Sequence, residues 1–412
     1  MSAHRGWPAV WAGAAIASPA LAGPLTYDQA LARAGASAPA LAAADLKTEA
    51  ARRSLPAAGR LPDPRLKLGV ENYPVSGPMA GRFGADQMTM ATIGVMQEVP
   101  NGARRSAEVA RARAEVAAAQ AERRITARDV RSGAALAWID LYYAEARLAA
   151  LDAVLKELQP LWDAAPSGVA SGATRPAAAL APVRLRADLL DQRDELAAAV
   201  RRTQAELTRW TGEAAPSASG GPPAVVVDQV RLRADLDRHS TLAAYAAEAQ
   251  KATAAVDLAQ AEKRPDWAFE VGYGRRDPMF GDMVSGGVTV RLPLFAGRRQ
   301  DPLIAARRAD RARVDAEREL AVRELRARLE SDLADHLMHH DQWVRTRDVV
   351  TPAARQQADL ETASYAAGRA GLAEVLQAFT DLAQARLTLL EREAAVARDA
   401  IRIILTYGAD AP

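Results

Sequence analysis

The chain has 412 residues, 49% of them hydrophobic and 25% charged, with a formal net charge of +2. That composition excludes a disordered chain, and the even mixing of Arg with Asp and Glu excludes a basic nucleic-acid binder. There is no cysteine, which excludes disulfides, thiolate metal sites and lipidation on an N-terminal Cys.

Residues 1–22 read as a secretory signal. Arg5 is the leading charge, Trp7 to Ala17 is a short apolar stretch, and Ala20-Leu21-Ala22 fits small-x-small cleavage. An apolar N-terminal helix is the competing reading, opposed by Pro8 and Pro19. Beyond it no apolar run approaches the ~20 residues of a spanning helix, so any membrane spans must be strands.

Tyr27 to Ser54 reads as one helix with Thr26 as N-cap, ended by Pro56, Gly59, Pro62 and Pro64. Two alternating runs follow. Leu66, Leu68 and Val70 share one face of the first, and Ile93, Val95 and Val99 one face of the second, with a Gly/Pro loop from Pro74 to Gly84 between them. A helix from Ala103 to about Ala164 comes next, then one from Ala177 to Thr211. The stretch Gly212 to Val230, with Gly220-Gly221-Pro222-Pro223, reads as a joint in which Val225-Val226-Val227 could add a short strand. Thr241 to Lys263 is helical. Trp267, Phe269, Val271 and Tyr273 then alternate, as do Val288, Val290 and Leu292 after the loop Arg276 to Ser285. A second long helix runs from Leu303 to about Ala367, broken only by Pro352, and a last one from Leu372 to Tyr407. At 1.5 Å per residue the two long helices would each reach roughly 90–100 Å. Their sparse apolar seam (Val109, Val116, Ile125, Val130, Leu136, Ile139, Leu141), filled in with Ala, suits close coiled-coil-like packing.

The strand pair, long helix, Gly turn and returning helix occur twice, offset by about 196 residues. Gly172 lies opposite Gly368, Trp210-Thr211-Gly212 opposite Thr406-Tyr407-Gly408, and Arg104-Arg105 opposite Arg298-Arg299. The expected organisation is a first repeat at 23–212, a linker at 213–238, a second repeat at 239–408 and a tail at 409–412. Pattern alone leaves the strands open to two readings, a soluble sandwich with a watery small-residue face or a lipid-facing sheet. Strands near the ~9–11 residues of a tilted membrane span, the signal peptide, and too few strands to bury a core favour the second.

Leu61-Pro62-Asp63-Pro64-Arg65-Leu66 enters the first strand, and Glu71-Asn72-Tyr73-Pro74 leaves it. Val99-Pro100-Asn101-Gly102 leads into Arg104-Arg105. Tyr365-Ala366-Ala367-Gly368-Arg369-Ala370-Gly371-Leu372 is followed by Glu374-Val375-Leu376-Gln377-Ala378. On these motifs essentially the whole mature chain resembles the TolC-type outer-membrane efflux proteins, and the first two resemble their heavy-metal branch, which serves cobalt–zinc–cadmium and copper exporters. The first tip, Ser171-Gly172-Ala173-Thr174, departs from the pattern: Val169 stands where the second tip has Tyr365, and Pro176 and Pro182 follow.

The resemblance implies a mainly α protein with a membrane β-barrel portion. Three chains would share a twelve-stranded barrel in the outer membrane, continued by an α-helical barrel into the periplasm. Its partners would be two further copies, a periplasmic adaptor, an inner-membrane pump and outer-membrane lipid, with no nucleic acid, no cofactor and no catalysis. A drug-efflux or type I secretion channel is the alternative, and a periplasmic coiled-coil adaptor a more distant one. Leu66, Leu68, Val70, Ile93, Val95, Trp267, Phe269, Val271, Val288 and Val290 would line the barrel strands. Gly168, Gly172, Tyr365, Gly368, Arg369 and Gly371 would form adaptor-docking tips, although the glycines could equally serve only the turns. Glu374 and Gln377 would stand at the pore entrance, Glu374 either in an anionic ring or as a solvated helix residue. His336 and His340, spaced i, i+4, could ligate a metal or simply lie on a charged, solvated face.

Overall fold

A computed structural model describes residues 23–170 and 180–408, with backbone alone for 164–170. In chain order the elements are β1 (Pro24–Leu25), α1 (Tyr27–Ser37), α2 (Pro39–Ser54), β2 (Arg65–Glu71), β3 (Met90–Val99), α3 (Gly102–Ala170), α4 (Leu180–Thr211), β4 (Ser217–Ala218), α5 (Gln229–Asp235), α6 (Ser240–Ala261), β5 (Asp266–Arg275), β6 (Met283–Arg291), α7 (Ala296–Arg345), a π-turn (Thr346–Val350), α8 (Thr351–Ala366) and α9 (Leu372–Tyr407). They form two compact units, each assembled from three stretches of chain.

One unit takes residues up to 38, 133–225 and 338–401. Its helices meet on a narrow seam: Leu151, Val154, Leu158 and Trp162 of α3, Leu189 and Leu196 of α4, and Leu376, Ala383 and Leu387 of α9. Steps of three, four and seven residues are those of helices packed side by side with small crossing angles. A satellite cluster joins Ala358 of α8 to Ala378 and Leu382 of α9. The N-terminus is tied in by Trp138, which is 0% exposed. Its indole N–H donates to the Leu25 carbonyl at 2.8 Å, and its ring stacks on Tyr142 with Tyr27 edge-on. This holds β1 against β4, a two-residue parallel pair with Pro24 opposite Ser217.

The other unit takes residues 39–132, 226–337 and from 402 onward. It contains the four-stranded antiparallel sheet, ordered β2-β3-β5-β6. Its helical core is built on Leu232 and Leu236 of α5, Leu242 of α6, Ala321, Leu325, Leu329 and Leu333 of α7, and Ile403 and Tyr407 of α9. Along the first part of α3 the most buried side chains are alanines (Ala107, Ala112, Ala114, Ala119, Ala121), whereas Val109 and Val116 are only half-buried. Alanine sets the closeness of approach there.

Several boundaries differ from expectation. The helix expected over Tyr27 to Ser54 is two helices. Ala38 is extended (φ −65°, ψ 117°) because the Pro39 ring disfavours a helical residue before it, and Pro39 itself opens α2. Thr26 does cap α1, in a capping box with Gln29. Val225–Val227 form no strand. Val226 is 86% exposed with no ladder partner, and the short strand of the joint is Ser217–Ala218. The second long helix begins at Ala296 and carries Pro302 inside it. It is interrupted by the π-turn immediately before Pro352, whose missing N–H breaks the regular ladder. Gly212 and Gly408 each close a helix through a bond to the carbonyl four residues back, at 2.8 and 2.9 Å, so the duplicated motif has the same local role twice.

Candidate functional site

The sheet registers place the alternating residues in rows. Leu66, Val95 and Val271 stand opposite one another, as do Leu68, Ile93, Tyr273 and Val284. Further along come Gln97, Phe269 and Val288, then Val99, Trp267 and Val290. All ten expected strand residues, with Val70, therefore share one face. That face is bare: Leu68 is 68% and Val271 63% exposed, and of the ten only Val290 is not classed as exposed. The opposite face carries Arg65, Met96, Glu270 and Gly287 in one row, Lys67, Gly94, Gly272 and Ser285 in the next, then Gly69, Thr92, Gly274 and Met283. Two ion pairs cross it, Arg65–Glu98 at 3.2 Å and Lys67–Glu270 at 3.4 Å. Among the described residues β2 pairs only with β3, and β6 only with β5, so each leaves a row of backbone groups without a strand partner there.

Both ends of the sheet are fixed by long-range polar contacts. At the helix end Asn101 caps α3, its Oδ1 accepting from the Arg104 N–H at 2.9 Å. Its own N–H and Nδ2 donate to Asp266 Oδ1, both at 2.9 Å. Arg104 reaches Asp266 Oδ2 at 3.3 Å and Arg291 reaches it at 3.8 Å. The strand-to-helix junction of the first repeat is thus anchored on the first strand of the second. At the loop end Arg276 donates to the Gly281, Phe280 and Gln87 carbonyls, joining the two inter-strand loops. Sequence reasoning missed both nodes because their partners lie 165 and 189 residues apart. Only the Asn101-Gly102 pair, a turn-and-cap signature, hinted at the first.

The turn between α8 and α9 is a Schellman motif. Gly368 N–H donates to Tyr365 O at 2.9 Å and Arg369 N–H to Ser364 O at 2.8 Å, with Gly368 at φ +69°. Tyr365, Gly368, Arg369 and Gly371 are all exposed on it. Glu374, also exposed, sits in the first turn of α9, where the helix N-terminus favours a carboxylate. Gln377 donates to Asp381 at 3.0 Å. Gly168 falls within the last turn of α3, and Gly172 lies outside the described residues. His336 and His340 stand one helical turn apart on α7, and among the described residues no group of three or more His, Asp or Glu side chains is placed to hold a metal. Their neighbour His339 has its Nδ1 2.6 Å from the buried Asp399 carboxylate. No described helix is long and apolar enough to cross a membrane.

The whole arrangement has solved counterparts. CusC, whose structures concern folding and transmembrane channel formation, superposes with a TM-score of 0.77 at 15% identity, over 93% of this chain and 92% of that one. The fold is that of outer-membrane channels. A membrane protein from Pseudomonas aeruginosa gives a TM-score of 0.80 at 14% identity, over 93% and 90% of the two chains. The outer membrane protein VceC from Vibrio cholerae gives 0.76 at 18%, over 93% and 96%. In sequence, residues 232–409 match the family described as outer membrane efflux protein. That span corresponds to the expected second repeat with the end of the expected linker, while the fold likeness covers 93% of the chain. No curated protein matches the chain in sequence. The matched family is one of efflux proteins and CusC forms a transmembrane channel; neither is an enzyme.

Proposed function

We propose that this chain is one protomer of a trimeric outer-membrane efflux duct, coupled to a periplasmic adaptor and an inner-membrane pump, and that its cargo is heavy-metal cations. The observation that carries the reading is the four-stranded sheet. One face is apolar and bare, the other small and polar, and both edges are open. In water such a sheet has no core and two adhesive edges. In a bilayer the apolar face meets lipid, and strands from further copies must satisfy the edges, because unpaired backbone groups are not tolerated in hydrocarbon. Strands of nine and ten residues at β3, β5 and β6 suit a tilted crossing. Three copies would supply twelve strands, with the ten apolar residues outward and the Gly-rich face toward the lumen.

In this reading the exposed α8–α9 turn is the adaptor-docking tip, together with its counterpart around Gly168 and Gly172, and Glu374 and Gln377 stand at the inner entrance. Support for metal cargo comes from the Leu61-Pro62-Asp63-Pro64 and Glu71-Asn72-Tyr73-Pro74 motifs.

The absence of native cysteine makes the edge pairing directly testable. Cysteine pairs, one on β2 and one on β6 of the same chain, stepped along the two strands and oxidised in membranes, are expected to give cross-linked dimers and trimers and nothing larger. Monomers at every position, or an open-ended ladder of oligomers, would contradict closure by three copies.

A further inference from the structure

The chain has eight methionines, and six of them fall in the sheet segments and their loops: Met79, Met88, Met90, Met96, Met279 and Met283. Three are strand residues. If apolarity alone selected them, they would belong with the valines and leucines on the bare apolar face. None does. Met96 shares its row with Arg65 and Glu270, and Met283 its row with Thr92 and Gly274. Met90, two residues before Thr92, lies on the same small and polar face.

Two of them converge. Met283 is the direct cross-strand partner of Gly274, and a Cβ at residue 274 would lie only 2.6 Å from Met90 Sδ. The hollow over Gly274 is therefore filled by the thioether of Met90 from β3, and Met283 of β6 stands directly across from the same glycine. Met283 remains 45% exposed, so it is not consumed by packing. Met96 lines a recess of about 540 Å³ at the helix end of the sheet, beside Glu98, Arg104 and Asp266. Six residues of strand put it about 20 Å from Met90.

We propose that this face carries a thioether path for soft monovalent cations, Cu⁺ and Ag⁺, with Met96 as the inner station and Met90 and Met283 as the outer pair. The proposal rests on the channel reading and deepens it by naming the cargo class. The chain has no thiolate, and none of its five histidines lies on the sheet. A neutral thioether selects soft Cu⁺ or Ag⁺, whereas Zn²⁺ and Co²⁺ take imidazole, carboxylate or thiolate. One or two thioethers per station hold an ion weakly enough for it to move on, which is what conduction through several sites requires.

The test uses the full-length protein purified in detergent, silver nitrate in chloride-free buffer, and the triple variant Met90→Leu, Met96→Leu, Met283→Leu. Leucine keeps volume and apolarity and removes only sulfur. Silver binding to the triple variant is expected to be weaker by about tenfold or more. Met283→Leu alone should lose part of that binding, and Met338→Leu, on α7, none. Zn²⁺ binding should be alike in all of them. Full silver binding by both the single and triple sheet variants, or none by the wild type, would overturn the proposal. K⁺ conductance in planar bilayers without silver is read separately. Its absence from every variant and from the wild type would count against the channel reading, whereas silver binding decides the methionine site.

Discussion

Glu145 accepts the Ala218 N–H at 3.1 Å and so holds the β4 end of the β1–β4 pair. Burial pushes its carboxyl above the usual glutamate range, and the bond from Ala218 only partly offsets this. An acid whose pKa is raised on folding binds more protons in the folded state, so its contribution to stability falls as pH rises through that raised value. Glu145→Gln keeps an acceptor for Ala218 and carries no charge. Thermal unfolding of the wild type should therefore lose midpoint temperature between acid and neutral pH relative to Glu145→Gln. Parallel curves for the two proteins would refute the assignment. Asn101 combines a helix cap with two bonds to Asp266. Asn101→Ala should lower stability by about 1–2 kcal/mol, the usual scale for a lost cap. Asn101→Asp should not restore it, because the new carboxylate faces Asp266. Full rescue by Asp in chemical denaturation would show that capping alone matters. At this scale the sequence reveals residue types but not partners. Asn101-Gly102 and Thr26 announce caps, whereas nothing near Trp138 or Asp266 announces the segments they bind, which lie 113 and 165 residues away.

Helix α3 runs for 69 residues without a break. Its length was legible because neither Pro nor a cluster of turn residues interrupts it until Pro160. Its packing was legible in part: Val130, Ile139 and Leu141 of the expected seam are buried, whereas Val109, Val116, Ile125 and Leu136 are only half-buried, alanine takes over along the first part, and the buried Trp138 was not in the seam. Gly133 illustrates why. A Cβ there would run into the Trp210 ring, so the glycine is what lets α4 close on α3. Gly133→Ala should cost about 1–3 kcal/mol, as overpacking does. In the Trp210→Ala background the same change should cost little, giving a clear coupling in a double-mutant cycle. Additive effects would place the ring elsewhere. The strands were legible from period two, and the sheet keeps that alternation. The two-residue β1 and β4 carry no period at all, while Val225–Val227 have β-propensity without a partner. The break at Pro39 was written in the sequence but outvoted by the Leu and Ala spacing around it.

At the scale of the molecule, the duplication proposed from the sequence organises the reading. Each repeat supplies two strands, and the sheet order β2-β3-β5-β6 joins the two pairs through β3 and β5. Residues 232–409 match the outer membrane efflux protein family in sequence, whereas the residues before them share only the fold of solved channel structures. The first tip had already departed from the second in its motif. Left uncovered among the described residues are the bare apolar face and the edges of β2 and β6, which support the proposed closure by further copies. The most direct test is membrane fractionation followed by imaging of the detergent-extracted particle. The protein is expected in the outer-membrane fraction as a hollow particle with three-fold symmetry. A soluble periplasmic monomer, or a particle without a barrel, would contradict it.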